Sequence, residues 1–357
     1  CCCKTFVYDR RQDMSILFSE NNLVLIDHRN FISKIYEGVT NDQEKTSNFT
    51  LIGKLFSIIN IKEKGNKKRP RECSQIIEEV SKIFYTEIYN YILSSFNRDK
   101  KEAKRYSKTS LVRDLSKKYF ECTAFDHKGL TGGNNSGDPL HCKVKDDFFL
   151  IPSNSRFLCG CVKEQCEKLK CNKYDIVIAD PPWWNKYIRR LKGANDKLSY
   201  SMMYNEDIAS IPLKDLLPKN CLIAVWCTNA LSNINAVKNI IFPEWGVEYV
   251  TTWYWLKLNI DLAPLCDFSA GCKKQPYERV MIGKIGDVKN IPCDLLLASV
   301  PSALHSHKPP LLDLLRPCID VKDVKILELF ARYLLPNTTS VGYEPLKWQH
   351  ISLYEEI

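Results

Sequence analysis

Four consecutive residues, Asp180-Pro181-Pro182-Trp183, put a carboxylate, two pyrrolidine rings and an indole side by side. Two prolines fix two φ angles and remove two N–H donors, so the backbone is stiff and presents carbonyls beside one carboxylate. Such an acceptor-only cluster, ending in a large aromatic face, suits a planar group that carries an NH₂. The amine can donate to Asp180 and to the Pro181 carbonyl while the ring stacks on Trp183. The same four residues also fit a Pro-Pro turn that ends a strand and drops a tryptophan into the core. The tetrapeptide does not separate the two readings.

The elements around it narrow the setting. Tyr174–Ala179 is a short β-branched apolar run that ends at Asp180. Leu222–Cys227, Val247–Trp255, Arg279–Ile282 and Lys325–Phe330 repeat the type. Between them lie helical candidates at Glu206–Leu217, Leu231–Ile241 and Pro309–Pro317. Strands apolar on both faces and alternating with helices predict an α/β sandwich around a mostly parallel sheet. Ligands of such sheets bind outside the carboxyl ends of the strands, where Asp180 sits. Before residue 145 the pattern differs. Asn22–His28 alternates, Thr40–Asn48 reads as a loop, and Glu72–Phe96 and Asp99–Tyr119 read as helices. Gly129–Pro139, with four glycines, reads as a flexible connection. The expected division is therefore a smaller helical and mixed accessory region over 1–145 and an α/β domain over 146–357.

Composition limits the function classes. The chain has 357 residues, 45% apolar, and no apolar run near the ~20 residues that cross a bilayer. Cys1-Cys2-Cys3-Lys4 makes no secretory signal, and the absence of Met at position 1 suggests missing upstream sequence. The 16 cysteines sit largely in apolar runs, as reduced buried thiols do. Cys159, Cys161, Cys166 and Cys171 match no zinc spacing, and His305 with His307 lacks a third ligand, so no metal is expected. The net charge of +9 is concentrated: Lys62, Lys64, Lys67, Lys68, Arg69 and Arg71 crowd ten positions that hold one acid. That run fits either a solvated face or a surface that tracks phosphates. Trp253 and Trp255 read as sheet packing; Trp226 reads equally as packing or as a pocket wall.

Asp-Pro-Pro-Trp at the end of an apolar strand resembles the signature of the adenine-N6 methyltransferases, the relatives of the messenger-RNA adenosine methyltransferase. The resemblance spans Phe148 to Ser352 and continues in order. It takes in Leu222–Asn229, Lys274–Glu278, His305-Ser-His-Lys308-Pro-Pro-Leu311, Leu327-Glu-Leu-Phe-Ala-Arg332 and Gly342–His350. The last segment, the doubled proline and the Phe-Ala-Arg form look closest to the methyltransferase-like four branch. The resemblance implies a Rossmann-like class I methyltransferase fold and S-adenosyl-L-methionine as methyl donor. Asp180 to Trp183 would be catalytic. Lys308 would meet the donor's carboxylate end, Arg332 its ribose region with Glu344 nearby, and the backbone of Cys159, Gly160 and Cys161 its adenine. Trp183, Trp184, Asn185, Lys186, Tyr200, Trp226 and His307 would face the acceptor, with Lys67, Lys68 and Arg69 on flanking nucleic acid.

Two departures stand out. Gly160 replaces an acid usual in the branch, and Tyr343 replaces an asparagine expected at the ribose. The implied product is N6-methyladenine in RNA, at a 2′-O-methyladenosine of a U2-type small nuclear RNA. DNA adenine methylation and a non-catalytic RNA-binding scaffold are the alternatives. A monomer that needs no partner subunit and resides in the nucleus, or also in the cytoplasm, completes the expectation.

Overall fold

The computed structural model describes residues 16–20, 22–40, 45–57, 109–184, 202–266, 268 and 275–357. The expected helix at 72–96, the basic run at 62–71 and the loop residues Asn185, Lys186 and Tyr200 lie outside them.

Apolar strands form one mixed sheet, and its strands are named here in chain order. β1 (Ile16–Glu20) and β2 (Leu23–Ile26) come first. β3 (Val39–Thr40), β4 (Thr46–Ser47) and β5 (Phe49–Leu51) follow in smaller sheets. β6 (Thr131–Asn134), β7 (Leu140–Val144), β8 (Asp147–Ile151), β9 (Ser155–Cys159) and β10 (Ile176–Ala179) lead up to Asp180. β11 (Cys221–Cys227), β12 (Glu248–Lys257), β13 (Tyr277–Ile285) and β14 (Leu296–Ser299) come next. β15 (Ile326–Leu329), β16 (Thr338–Gly342) and β17 (Tyr354–Glu356) end the series. The large sheet runs β1-β2-β14-β12-β13-β11-β10-β15-β16-β9-β6. Pairing is parallel from β11 through β10, β15 and β16 to β9, and again across β12, β14 and β2. The antiparallel strand β13 joins the two parallel blocks.

Side chains alternate across this sheet, and both faces are buried. Ile176, Ile178, Leu222, Ala224 and Trp226 enter one core cluster; Val177, Ala179, Ile223, Val225 and Cys227 enter the other. Continuous apolar runs are what such a doubly covered strand needs. Helix α1 (His28–Ile35) covers the first face through Phe31 and Ile32. Asp27 caps it, accepting the Asn30 N–H at 2.9 Å. Helices α2 (Thr109–Cys122) and α3 (Val162–Lys168) follow, and α3 covers the second face through Val162 and Cys166.

The helical stretches end earlier or later than the periodicity predicts. Glu206–Leu217 breaks into α4 (Asn205–Ala209) and a 3₁₀ turn at Leu213–Leu216, because Pro212 intervenes. Leu231–Ile241 continues instead: α5 (Leu231–Ala236) passes through a π-turn at Val237–Ile241 into α6 (Phe242–Trp245), which Gly246 ends at φ 72°. Pro309–Pro317 gives only the short α7 (Leu312–Leu315) and a 3₁₀ turn. Of Asp99–Tyr119, the described part is α2.

The glycine-rich connection is a correction. Thr131–Asn134 is strand β6, paired antiparallel with β9. A Cβ on Gly133 would lie 2.2 Å from the Ser155 carbonyl oxygen, and one on Gly132 2.9 Å from the Phe157 ring. These glycines permit close backbone approach rather than mobility. The position expected for a domain division, residue 145, is the turn between β7 and β8, which pair with each other. Across it the core is continuous: Phe31, Tyr36, Leu51 and Leu55 share a cluster with Trp253, Leu315 and Trp348.

Candidate active site

Adjacent parallel strands β10, β15, β16 and β9 end side by side. Register pairs Ala179 with Leu329, Leu329 with Val341, and Gly342 with Cys159. The next residues therefore form a row along the carboxyl edge: Asp180, Phe330 to Arg332, Tyr343, and Gly160 with Cys161. The Asp180 N–H donates to the Leu329 carbonyl at 3.3 Å, and the Gly160 N–H to the Gly342 carbonyl at 2.8 Å. These bonds tie the row to the strands.

Asp180 is gripped from the loop after β14. The Ser306 hydroxyl donates to Asp180 Oδ2 at 2.5 Å, and Lys308 Nζ lies 3.6 Å from Oδ1. Lys308 also pairs with Glu278 Oε2, and Lys257 pairs with the other oxygen of Glu278. The result is an alternating chain, Lys257–Glu278–Lys308–Asp180. Burial works against the Lys308 ammonium, but Asp180 and Glu278 outweigh it and hold its pKa above the usual lysine value. Burial likewise opposes the Glu278 charge, and Lys308 and Lys257 outweigh it, so its carboxyl stays below the usual carboxylate range. Lys308 Nζ sits 5.2 Å from the centroid of the Trp226 ring, itself edge-on to Trp255. Arg332 donates to His305 Nδ1 at 2.5 Å.

Two residues below the level of Asp180 on the neighbouring strand, Glu328 is buried, and its Oε2 has no hydrogen-bond partner among the described residues. Burial, reinforced by the Asp180 charge, pushes its pKa up to about 8. Two non-glycine residues at the site hold positive φ, Ser306 at 58° and Phe330 at 63°. Such strain costs about 1–3 kcal/mol per residue and gathers at functional sites.

The tetrapeptide divides its two expected roles. Trp183 is 8% exposed, packs in the second core cluster and donates its indole N–H to the Trp226 carbonyl at 3.0 Å. The core reading therefore holds for Trp183, and the stacking face expected of it is not open. The Pro181 carbonyl accepts the Trp183 N–H at 2.8 Å, which leaves one lone pair. Trp184 supplies the accessible face, stacked on Tyr204 with centroids 5.8 Å apart and planes at 19°. The segment 185–201 leaves and returns here through two backbone bonds, Trp184 N–H to Met203 O at 3.1 Å and Met203 N–H to Pro182 O at 2.9 Å.

Other expected site residues fall as follows. Trp226 is 2% exposed and forms the floor under Lys308. His307 is displaced from the acceptor side: it is buried, with its ring against His28 and Tyr333, whose hydroxyl donates to the Lys308 carbonyl at 2.9 Å. Glu344 is buried beside Lys347, 2.9 Å away. Cys159 is buried, and burial pushes its thiol up to about 12. Gly160 has φ 154°, a conformation that side chains rarely adopt, so the acid usual at this position would be strained on this backbone. Exposed Tyr343 is hydrogen-bonded with the Cys161 side chain. The two departures are thus neighbours on β9 and β16. Lys67, Lys68, Arg69, Asn185, Lys186 and Tyr200 lie outside the described residues.

Ser306, Lys257, Glu278, Glu328 and Tyr204 join the site without having been assigned roles from sequence. Ser306 and Glu278 lie inside segments singled out above, but nothing local told which side chain would reach Asp180. Lys257 and Tyr204 gave no signal at all.

The carboxyl edge of this α/β sheet, with an acid ending one strand and a lysine facing it, has the form of a Rossmann-like methyltransferase domain. Residues 174–344 match the family model described as MT-A70. The chain is 34% identical over 234 residues to the N(6)-adenine-specific methyltransferase METTL4 of Homo sapiens, covering 62% of this chain and 48% of that protein. It is 40% identical over 212 residues to the DNA N6-methyl methyltransferase of Caenorhabditis elegans, covering 57% and 55%. It is 33% identical over 213 residues to the N6-methyladenosine RNA methyltransferase MTA1 of Cryphonectria parasitica, covering 58% and 62%. The chain thus spans about half the length of the curated relatives it matches.

Proposed function

We propose that this chain transfers a methyl group from S-adenosyl-L-methionine to the exocyclic N6 of adenine in nucleic acid. The carrying observation is Asp180, fixed at the end of β10 by Ser306 and Lys308 inside the MT-A70 segment. The substrate favoured here is RNA, at a 2′-O-methyladenosine of a small nuclear RNA. The name of the Caenorhabditis elegans relative supports DNA as the second reading.

The donor set suits the methyl donor's charges. Lys308 has three N–H groups, enough to serve Asp180, Glu278 and a carboxylate. Asp180 and Glu278 offer acceptors to an ammonium. The sulfonium supplies an electrophilic methyl, so no strong base is needed before attack. An exocyclic amine is a poor nucleophile because its lone pair is delocalised into the ring. Acceptors that bind its hydrogens localise that pair. Ser306 donates to Asp180 Oδ2 and Lys308 faces Oδ1 at 3.6 Å, so each oxygen keeps a lone pair that, with the second lone pair of Pro181 O, can accept from the amine. The remaining contributions are alignment and fixed electrostatics. The base must leave its stack to reach Asp180, and Trp184 with Tyr204 offers it an aromatic face at the entrance.

The described residues include no helix long and apolar enough to cross a membrane. The reading includes a monomer acting in the nucleus. Its test is methyl transfer to matched RNA and DNA oligonucleotides, with and without a 2′-O-methyl on the target adenosine. Asp180→Ala should abolish transfer while the melting temperature holds. Retained transfer would overturn the assignment of Asp180.

A further inference from the structure

The four strands that carry the site at their carboxyl ends border an open cavity at their amino ends, about 520 Å³ in volume. It lies between the approaches to β10, β15, β16 and β9, and its charged lining is one-sided. Arg156, Arg316, Lys322 and Lys325 face it against a single acid, Asp323. Arg156, Lys322 and Lys325 are exposed, and no carboxylate forms an ion pair with them among the described residues. Arg316 is half-buried, feels the Asp313 charge, and its Nε is buried with no hydrogen-bond partner among the described residues. Asn154 and Asn337 add amide donors on the rim.

Four like charges around a concavity repel one another and focus a positive potential into it. A planar guanidinium with an unmet buried donor makes such a cleft selective for oxyanions over halide-like ions. The geometry points to a remote phosphate site: this cavity holds phosphodiester groups of the same nucleic-acid strand whose adenine occupies the carboxyl edge. The inference rests on the reading of nucleic acid as substrate. Strands of four or five residues separate the two edges, about 15 Å at 3.3 Å per residue. A strand must therefore run several nucleotides past the target base to reach the cavity, so the site should matter for long substrates and not for short ones.

The experiment compares the parent chain with the triple variant Arg156→Ala, Lys322→Ala, Lys325→Ala, all exposed side chains outside the catalytic edge. Binding to a labelled single-stranded RNA of about 20 nucleotides, followed by anisotropy across a salt series, should weaken roughly 10- to 100-fold at low salt. The log-log salt slope should shrink by about 2, because each phosphate contact on a single strand contributes about 0.7. Methyl transfer to a trinucleotide should keep its kcat and KM, while KM for the long RNA rises. Unchanged affinity and salt slope on the long RNA would overturn the proposal, as would an equal loss on the trinucleotide. Lys322→Glu with Lys325→Glu serves as a second variant should the triple one melt early. If the parent transfers no methyl to any nucleic acid yet the binding loss and slope change appear, the phosphate site stands and the catalytic reading alone falls.

Discussion

Ser306 reaches Asp180 only because its own backbone sits at φ 58°, a conformation that an L residue adopts at a cost. The hydroxyl fixes one carboxylate oxygen and so aims the other. Removing it with Ser306→Ala leaves the fold and the Lys308 pair in place. A hydrogen bond to a charged group is worth about 1.5–3 kcal/mol, so steady-state kinetics should show kcat lowered by roughly 10- to 100-fold. A kcat equal to the parent's would mean that the bond is idle in catalysis. At this scale the tetrapeptide singled out Asp180 by residue type and the resemblance singled out Lys308, and the structure brings the two to 3.6 Å of each other. It was not legible for Trp183, whose indole could face either a base or the core; only the bond to the Trp226 carbonyl decides that. Glu328 reads as one polar residue in an apolar strand, and its proximity to Asp180 comes from strand pairing, which lies across more than 140 residues of sequence.

Elements followed their apolar periodicity where packing agreed with it. The five runs expected as strands contain strands: those at 176–179, 221–227 and 326–329 are buried on both faces, whereas β12 leaves Glu248 exposed and Val250 and Tyr254 half-buried. The glycine-rich stretch misled because glycine marks two opposite situations, freedom and crowding. Gly133 belongs to the second: a side chain there would collide with the backbone of β9. Gly133→Ala should therefore destabilise the protein by about 1–3 kcal/mol, as overpacking does, visible as a lower melting temperature. A neutral result would restore the picture of a loose connection.

For the whole molecule, β2, α1 and β5 are woven into the body. β2 pairs with β14, β5 with β17, and the Gln349 amide donates to the Tyr36 hydroxyl at 2.5 Å. A fragment of residues 146–357 should accordingly fail to fold cooperatively, as judged by thermal melting followed by circular dichroism. A sharp transition in that fragment would make the preceding region dispensable.

Titration of buried groups sets the pH range. Burial lowers His28 to about 3 and, as the largest cause, His127 to about 4. Both are neutral in the fold, so their contribution is present above pH 6.5 and is lost as pH falls below it. Glu328 works in the opposite sense. Its folded pKa of about 8 exceeds the usual 4.5, so its contribution is full below 4.5 and is lost as pH rises through 8. Glu328→Gln keeps the neutral shape without the titration. The variant should melt above the parent at pH 9 and alongside it at pH 4; identical curves at both would place Glu328 in water.

The paired backbone bonds at Trp184 and Met203 bring out a property of descent rather than of chemistry. A chain excursion whose two ends are stitched together transmits little of its own length to the body that carries it. Doubling such an excursion costs only about 0.6 kcal/mol of closure entropy. The position of Asp180 is therefore set by β10, Ser306 and Lys308, and the length of chain between Trp184 and Met203 bears little on it. Change of length between those two residues is what descent can accept most cheaply, with the sheet beneath left as it is.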